Sequence, residues 1–186
     1  GYATGLDLKL SGEFIRGLES WFAVSIMDTK EDILDDYYYD KDGNRIEPGY
    51  LPRPTDQRMA FNLFFQDHIP GFPQFRVHLN FVFASGLPVG PVNAPAYQRV
   101  RDPKWYRRVD LGFSFMFLEQ SRDRMRNKSK FIRSIKNAGI YIEVFNLLGT
   151  KNVASYSWIS DIYNNSYAVP NFLTGRMINV KFAVEF

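Results

Sequence analysis

Gly175-Arg-Met-Ile-Asn-Val-Lys-Phe-Ala-Val-Glu-Phe186 alternates without a break. Ile178, Val180, Phe182, Val184 and Phe186 fall on one face of an extended chain, and Met177, Asn179, Lys181, Ala183 and Glu185 fall on the other. Successive side chains of a strand point to opposite sides, so this stretch is read as a strand whose two faces meet different surroundings. The apolar row runs to the last residue, an aromatic one, with no polar tail. Lipid is the surrounding expected on that side.

Working outward, the same period recurs. Leu6, Leu8, Leu10 and Phe14 alternate with Asp7, Lys9, Ser11 and Glu13; Phe75, Val77, Leu79, Phe81 and Phe83 alternate with Arg76, His78 and Asn80. Val109, Leu111, Phe113, Phe115 and Phe117 oppose Arg108, Asp110, Gly112 and Ser114. Weaker versions run through residues 18–27, 59–66 and 138–145. About seven strands of roughly ten residues result, the length that crosses a bilayer core when tilted. The expected fold class is therefore all-β: a transmembrane antiparallel β-barrel segment.

Composition agrees with alternation. The 186 residues are 45% hydrophobic and 17% aromatic, yet the mean hydropathy is -0.28, as expected when apolar residues occupy every second position rather than blocks. No stretch approaches the roughly twenty apolar residues of a spanning helix, so a membrane role must use strands. Cysteine is absent, which excludes disulfides and thiolate metal sites. The net charge of +3 is mild, and much of the basic excess lies between Arg122 and Lys136.

Connections are expected to alternate in length. If Phe186 is periplasmic, residues 15–17 and 67–74 read as short periplasmic turns, the second carrying Ile69-Pro-Gly-Phe-Pro73. Residues 28–57, 85–106 and 148–174 read as long outward loops, with 119–137 a long basic connection on the short-turn side. Pro48, Pro52, Pro54, Pro88, Pro91, Pro95, Pro103 and Pro170 are expected between strands, where a missing amide donor costs nothing.

Sites of chemistry are few. Asp40-Lys-Asp-Gly-Asn44 has acidic residues ahead of a glycine, but a calcium loop with Gly43 sixth would place Tyr38 first and Gly49 twelfth, neither a carboxylate. A hairpin turning at Asp42-Gly43 fits better, and no metal or cofactor is assigned. His68 and His78 lack a second histidine at ligand spacing, no serine sits in a nucleophile elbow, and Asp35 and Asp36 have no positioned partner. No enzymatic activity is expected. Phe131 is the one aromatic within the basic run, too few for stacking bases, so that run is read as a solvated turn or headgroup contact and nucleic acid is not an expected partner.

Outward-loop aromatics could contact ligand: Tyr37, Tyr38, Tyr39, Trp158, Tyr163 and Tyr167. Trp105 and Tyr106, beside a strand, read as an interfacial girdle. The row Asp7, Lys9, Glu13, Glu19, Arg76, His78, Arg108, Asp110, Glu143, Lys181 and Glu185 mixes signs and is expected to face a water-filled or plugged lumen. An ordinary antiparallel sheet would alternate too, but no helix long enough to cover its apolar face is visible.

Several segments together resemble the C-terminal barrel of TonB-dependent outer-membrane receptors. They are Leu51-Pro-Arg-Pro-Thr-Asp-Gln-Arg58, Ala84-Ser-Gly-Leu-Pro88, Tyr106-Arg-Arg-Val-Asp-Leu-Gly112, Val144-Phe-Asn-Leu-Leu-Gly149 and Leu173-Thr-Gly-Arg176. The resemblance implies that residues 1–186 are the closing arc of a single barrel domain of about 22 strands in the bacterial outer membrane. Its plug and earlier strands would precede Gly1, an expectation in line with a chain that lacks an initiator methionine and a signal peptide. It further implies import of a scarce nutrient such as an iron chelate, cobalamin or an oligosaccharide, with an inner-membrane energy-coupling complex acting on the plug. The last strand resembles the signal read by the barrel-assembly machinery, carried by Asn179, Phe182, Val184 and Phe186; Lys181 stands where that pattern has glycine. Two other readings are a soluble β-sandwich binding ligand or glycan, and a passive porin wall.

Overall fold

The structure, a computed structural model, describes residues 1–91, 95–119, 135–163 and 165–186. Seven long strands form one antiparallel sheet: β1 (Tyr2–Ile15), β2 (Leu18–Glu31), β6 (Met59–Ile69), β7 (Phe72–Ala84), β10 (Tyr106–Glu119), β11 (Asn137–Phe145) and β14 (Met177–Glu185). The remaining labels belong to short strands: β3 (Tyr38–Tyr39), β4 (Arg45–Ile46), β5 (Leu51–Pro52), β8 (Pro88–Val89), β9 (Val100–Arg101), β12 (Val153–Ser160) and β13 (Ser166–Phe172). The order is β1-β2-β6-β7-β10-β11-β14, with β5 paired to β2. The sheet does not close, because β1 and β14 do not pair with each other.

Two tight turns lie at one end of the sheet. Arg16-Gly17 joins β1 to β2, and Pro70-Gly71 joins β6 to β7. In the second turn proline fixes φ at the first position and Gly71 supplies the positive φ, +81°, of the next. At the other end the three long connections each carry a two-stranded ribbon: β3-β4, β8-β9 and β12-β13.

Three details differ from expectation. Pro70-Gly71 suffices for reversal, so the turn is narrower than 67–74 and Pro73 lies inside β7. Pro52, Pro88 and Pro170 lie in β5, β8 and β13 rather than between strands; short strands have open sides on which a missing N–H breaks no ladder bond. Residues 148–174 contain a regular ribbon of eight- and seven-residue strands. The basic connection lies outside the described residues except at its end, where the Lys136 amide donates to the Glu185 carbonyl at 2.7 Å.

Register carries the alternation across the sheet. On one face the rows run Leu10–Phe22–Leu63–Phe81–Val109, Phe65–Leu79–Leu111–Val144–Ile178, and Phe75–Phe115–Ile140–Phe182. Phe75 stacks on Phe115 at 4.4 Å and Phe117 on Phe182 at 5.8 Å between ring centres, cross-strand contacts that reinforce register. No second layer covers this face among the described residues: Leu6 is 70% exposed, Ile178 68% and Phe182 66%. Among the described residues the buried hydrophobic ones are Leu18, Ala84 and Ala138, whereas Ser20, Thr29, Asp56, Ser85, Asp102, Asp110, Ser114, Asn146 and Asn152 are buried polar ones. This is the reverse of an ordinary globular core.

Candidate functional site

Asp7, Lys9, Arg76, His78, Arg108, Asp110, Glu143 and Lys181 share the opposite face, as the registers Lys9–Ala23–Asn62–Val82–Arg108 and Gln66–His78–Gly112–Glu143–Asn179 require. The face is more aromatic than the alternation suggested, since Trp21, Phe64 and Tyr141 also lie on it. These rings link the charges. Lys9 lies over Trp21, Trp21 stacks on Phe64, and Phe64 meets the His78 ring at 6.1 Å between centres. Lys181 sits over Tyr141 at 5.5 Å.

Gly112 explains how the row crosses β10. A Cβ there would fall on the imidazole of His78, so the glycine leaves a trough in which the ring lies. From it His78 Nε2 reaches Glu143 Oε1 at 3.3 Å, joining β7 to β11 across the strand between them. Glu143 Oε2 in turn accepts from Asn179 Nδ2 at 3.1 Å. Beside this, Asp110 accepts from Arg108 Nε at 2.7 Å, Asn80 Nδ2 at 3.3 Å and the Asn146 amide at 2.8 Å. All four lone-pair directions of a carboxylate being available, three donors fix its position.

The end bearing the long connections is held by polar contacts between segments far apart in sequence. Asp56 is its hub, with no solvent exposure. Its Oδ1 accepts from the Thr29 amide at 2.9 Å, and its Oδ2 takes Arg58 Nε at 3.1 Å and the Arg101 guanidinium. Arg101 also donates to the carbonyls of Asp56, 2.7 Å, and Gly86, 2.9 Å. Burial pushes the Asp56 carboxyl up, but the Thr29 amide and the two guanidinium groups outweigh it and hold the group below the ordinary carboxylate range. Gly86 is required for approach, because a Cβ would strike the Asp102 carbonyl. Asn152 bridges the amide and carbonyl of Arg107 at 2.9 and 2.8 Å, and Arg176 Nε donates to the Leu147 carbonyl at 3.0 Å.

The loop aromatics do not converge. Tyr37 and Tyr39 meet edge to face, Arg45 lies over the Tyr37 ring, and Tyr38 stacks on Tyr97 at 4.2 Å. Trp158 pairs with Ala168 in the β12-β13 ribbon, while Tyr167 faces the other way beside Ile159; its hydroxyl donates to Asp161, and Tyr163 is 79% exposed. Among the described residues no ring contact joins the two groups. Both loops turn by one device: Asp40 accepts from the Asp42 and Asn44 amides, and Asp161 from those of Tyr163 and Asn165.

What the connections do enclose is a cavity of about 360 Å³, lined by Gln57, Ser85, Trp105, Tyr106, Lys151 and Tyr156 among others. Tyr156 donates to Asp102 Oδ2 at 2.7 Å; burial and that neighbouring carboxylate push its phenol up to about 12. Sequence reading missed this cavity. Its walls come from three connections, and no local pattern links them. In β14, Phe182 and Val184 lie on the apolar face, Asn179 on the polar one, and Phe186 just beyond the strand is 67% exposed. No family model matches the chain, and no curated protein or solved structure matches it significantly.

Proposed function

We propose that this chain is the closing arc of a transmembrane β-barrel in the bacterial outer membrane, within a receptor of the TonB-dependent kind that imports a scarce nutrient. The observation that carries the reading is the inverted distribution of polarity: large apolar side chains exposed across seven registered strands, polar ones buried. Hydrocarbon is the solvent that suits such a face, and water or a plug suits the opposite one. The open edges of β1 and β14 are where the other strands of the parent would pair, since an unpaired edge in lipid leaves its amides unsatisfied.

On this reading the polar face meets the plug, the long connections and their cavity take part in ligand capture, and the energy-coupling complex acts through the plug. The end of β14 addresses the barrel-assembly machinery. Nothing in the arrangement requires catalysis: binding and gated passage are the function proposed. The five segments that resemble the receptor family support it: Asp56, Asp110, Asn146 and Arg176 do the joining described above, and Ser85 Oγ accepts from the Met59 amide at 3.1 Å.

Single-cysteine scanning of β10 in the parent, in intact outer membranes, tests the reading. Cysteines at Val109, Leu111 and Phe113 should react only with a lipid-soluble maleimide. Those at Arg108 and Met116, part-exposed positions of the polar face, should react with a water-soluble one. Equal labelling by the water-soluble reagent at every position would sink the membrane assignment and favour a soluble sandwich.

A further inference from the structure

The cations at the loop end are unevenly partnered. Lys30, Arg45, Arg53, Arg58 and Arg101 each lie against a carboxylate. Lys104, Arg107 and Lys151 do not: among the described residues none of the three has a carboxylate within ion-pair distance. All three are exposed, and they border one groove of about 540 Å³ together with Phe83, Trp105 and Thr150.

The position of that groove is informative. Arg107 pairs with Phe83 in register, in the row Leu8–Val24–Phe61–Phe83–Arg107, and so ends a row of the apolar face at the loop end. Trp105 stacks on Phe83 at 4.9 Å between ring centres, giving the groove an aromatic wall that continues into Phe81 and Phe61. Three positive charges thus surround a recess whose open side leads onto the apolar surface. A soluble anion would use the charges and gain nothing from that surface. An amphiphile with an anionic head would use both.

We propose that the groove bordered by Lys104, Arg107, Lys151 and Trp105 binds the phosphorylated headgroup of an outer-leaflet lipid, whose acyl chains lie along Phe83 and Phe81. Arg107 offers a planar donor pair and the lysines point charges, the combination that suits phosphate oxygens. Trp105 sits at the depth where an indole ring bridges headgroup and hydrocarbon. The assignment rests on the membrane reading of the apolar face.

The test uses the full-length parent reconstituted in phosphatidylcholine nanodiscs, with phosphatidic acid as the probe and diacylglycerol as its counterpart without phosphate. Lipid retained by the protein is counted by native mass spectrometry. The parent should retain phosphatidic acid over diacylglycerol, and a Lys104→Gln/Arg107→Gln/Lys151→Gln variant should lose that preference on the order of a hundredfold, given the usual worth of a basic residue at an anionic surface. Lys104→Arg/Lys151→Arg should keep it, which separates lost charge from lost structure. Equal retention by parent and glutamine variant, with both inserted, would overturn the lipid site and leave the membrane reading intact. Displacement of phosphatidic acid by inorganic phosphate alone would overturn the lipid assignment in favour of a soluble anion. Failure of the parent to enter nanodiscs would overturn the membrane reading, and the lipid site with it.

Discussion

Gly112 and His78 show how one missing side chain sets a cross-strand contact. The imidazole occupies the space a Cβ would need and from there meets Glu143. Gly112→Val should displace the ring and destabilise the folded protein by about 1–3 kcal/mol, the usual cost of overpacking. The double variant with His78→Ala should recover most of the loss, because the obstructing ring is gone. Urea midpoints of the single and double variants measure this, and a double variant no better than the single would refute the role assigned to the trough.

Asp56 belongs at the same scale. Removing its carboxylate takes the acceptor from the Thr29 amide and one partner each from Arg58 and Arg101, which keep Asp28 and the backbone carbonyls of residues 56 and 86 respectively. Since both arginines are part exposed, Asp56→Ala should cost about 2 kcal/mol, less than breaking a dry ion pair. Its folded value lies below the ordinary 3.8. The contribution is therefore complete above pH 3.8 and is lost as pH falls through the lower folded value. Asp56→Asn should flatten the acid limb of the stability profile; an unchanged profile would exclude Asp56 as a source of acid sensitivity.

At the scale of the element, the β12-β13 ribbon divides into a base and a tip. The base is built into the sheet end: Asn152 grips the Arg107 backbone, the Leu173 amide donates to the Asn152 carbonyl at 2.9 Å, and Tyr156 reaches Asp102. The tip carries Trp158, Tyr163 and Tyr167, with few contacts beyond Asp161 and Asn165. Deleting all of 148–174 would remove Asn152 and disturb β10. If the chain acts as proposed, replacing residues 157–168 with a two-residue turn should leave assembly unchanged while lowering ligand binding by the parent receptor. Undiminished uptake would show that capture lies elsewhere, the cavity at Tyr106 and Lys151 being the next place to examine.

For the molecule as a whole, the decisive property is a sheet that, among the described residues, has two unpaired edges and an uncovered apolar face. Residues 1–186 expressed alone in aqueous buffer should associate into large species, since open edges and broad apolar surface both promote it. Detergent micelles should suppress that association. Light scattering on a size-exclusion column reads both conditions, and a monodisperse monomer in plain buffer would favour the soluble sandwich.

Much of this architecture was legible from sequence because a strand's period of two is local. Ile178 to Phe186, Val109 to Phe117 and Phe75 to Phe83 each declare their two faces without reference to any neighbour. The Asp42-Gly43 and Pro70-Gly71 turns are likewise matters of a few consecutive residues; Gly43 and Gly71 take the positive φ that other residues avoid. The seven long strands and the sharing of one face by Asp7 through Lys181 followed from these local facts, whereas the seven shorter strands within the connections did not.

The tertiary structure decided what depends on pairing between distant segments. That His78 lies over Gly112 to reach Glu143, that Asp56 holds Arg101, and that Lys104, Arg107 and Lys151 border one groove all depend on the order β7-β10-β11 and on register. Hydrogen bonds and charge contacts act over a few ångströms, whereas these partners stand tens of residues apart in the chain. Alternation fixes which way a side chain points; only the assembled sheet fixes what it meets.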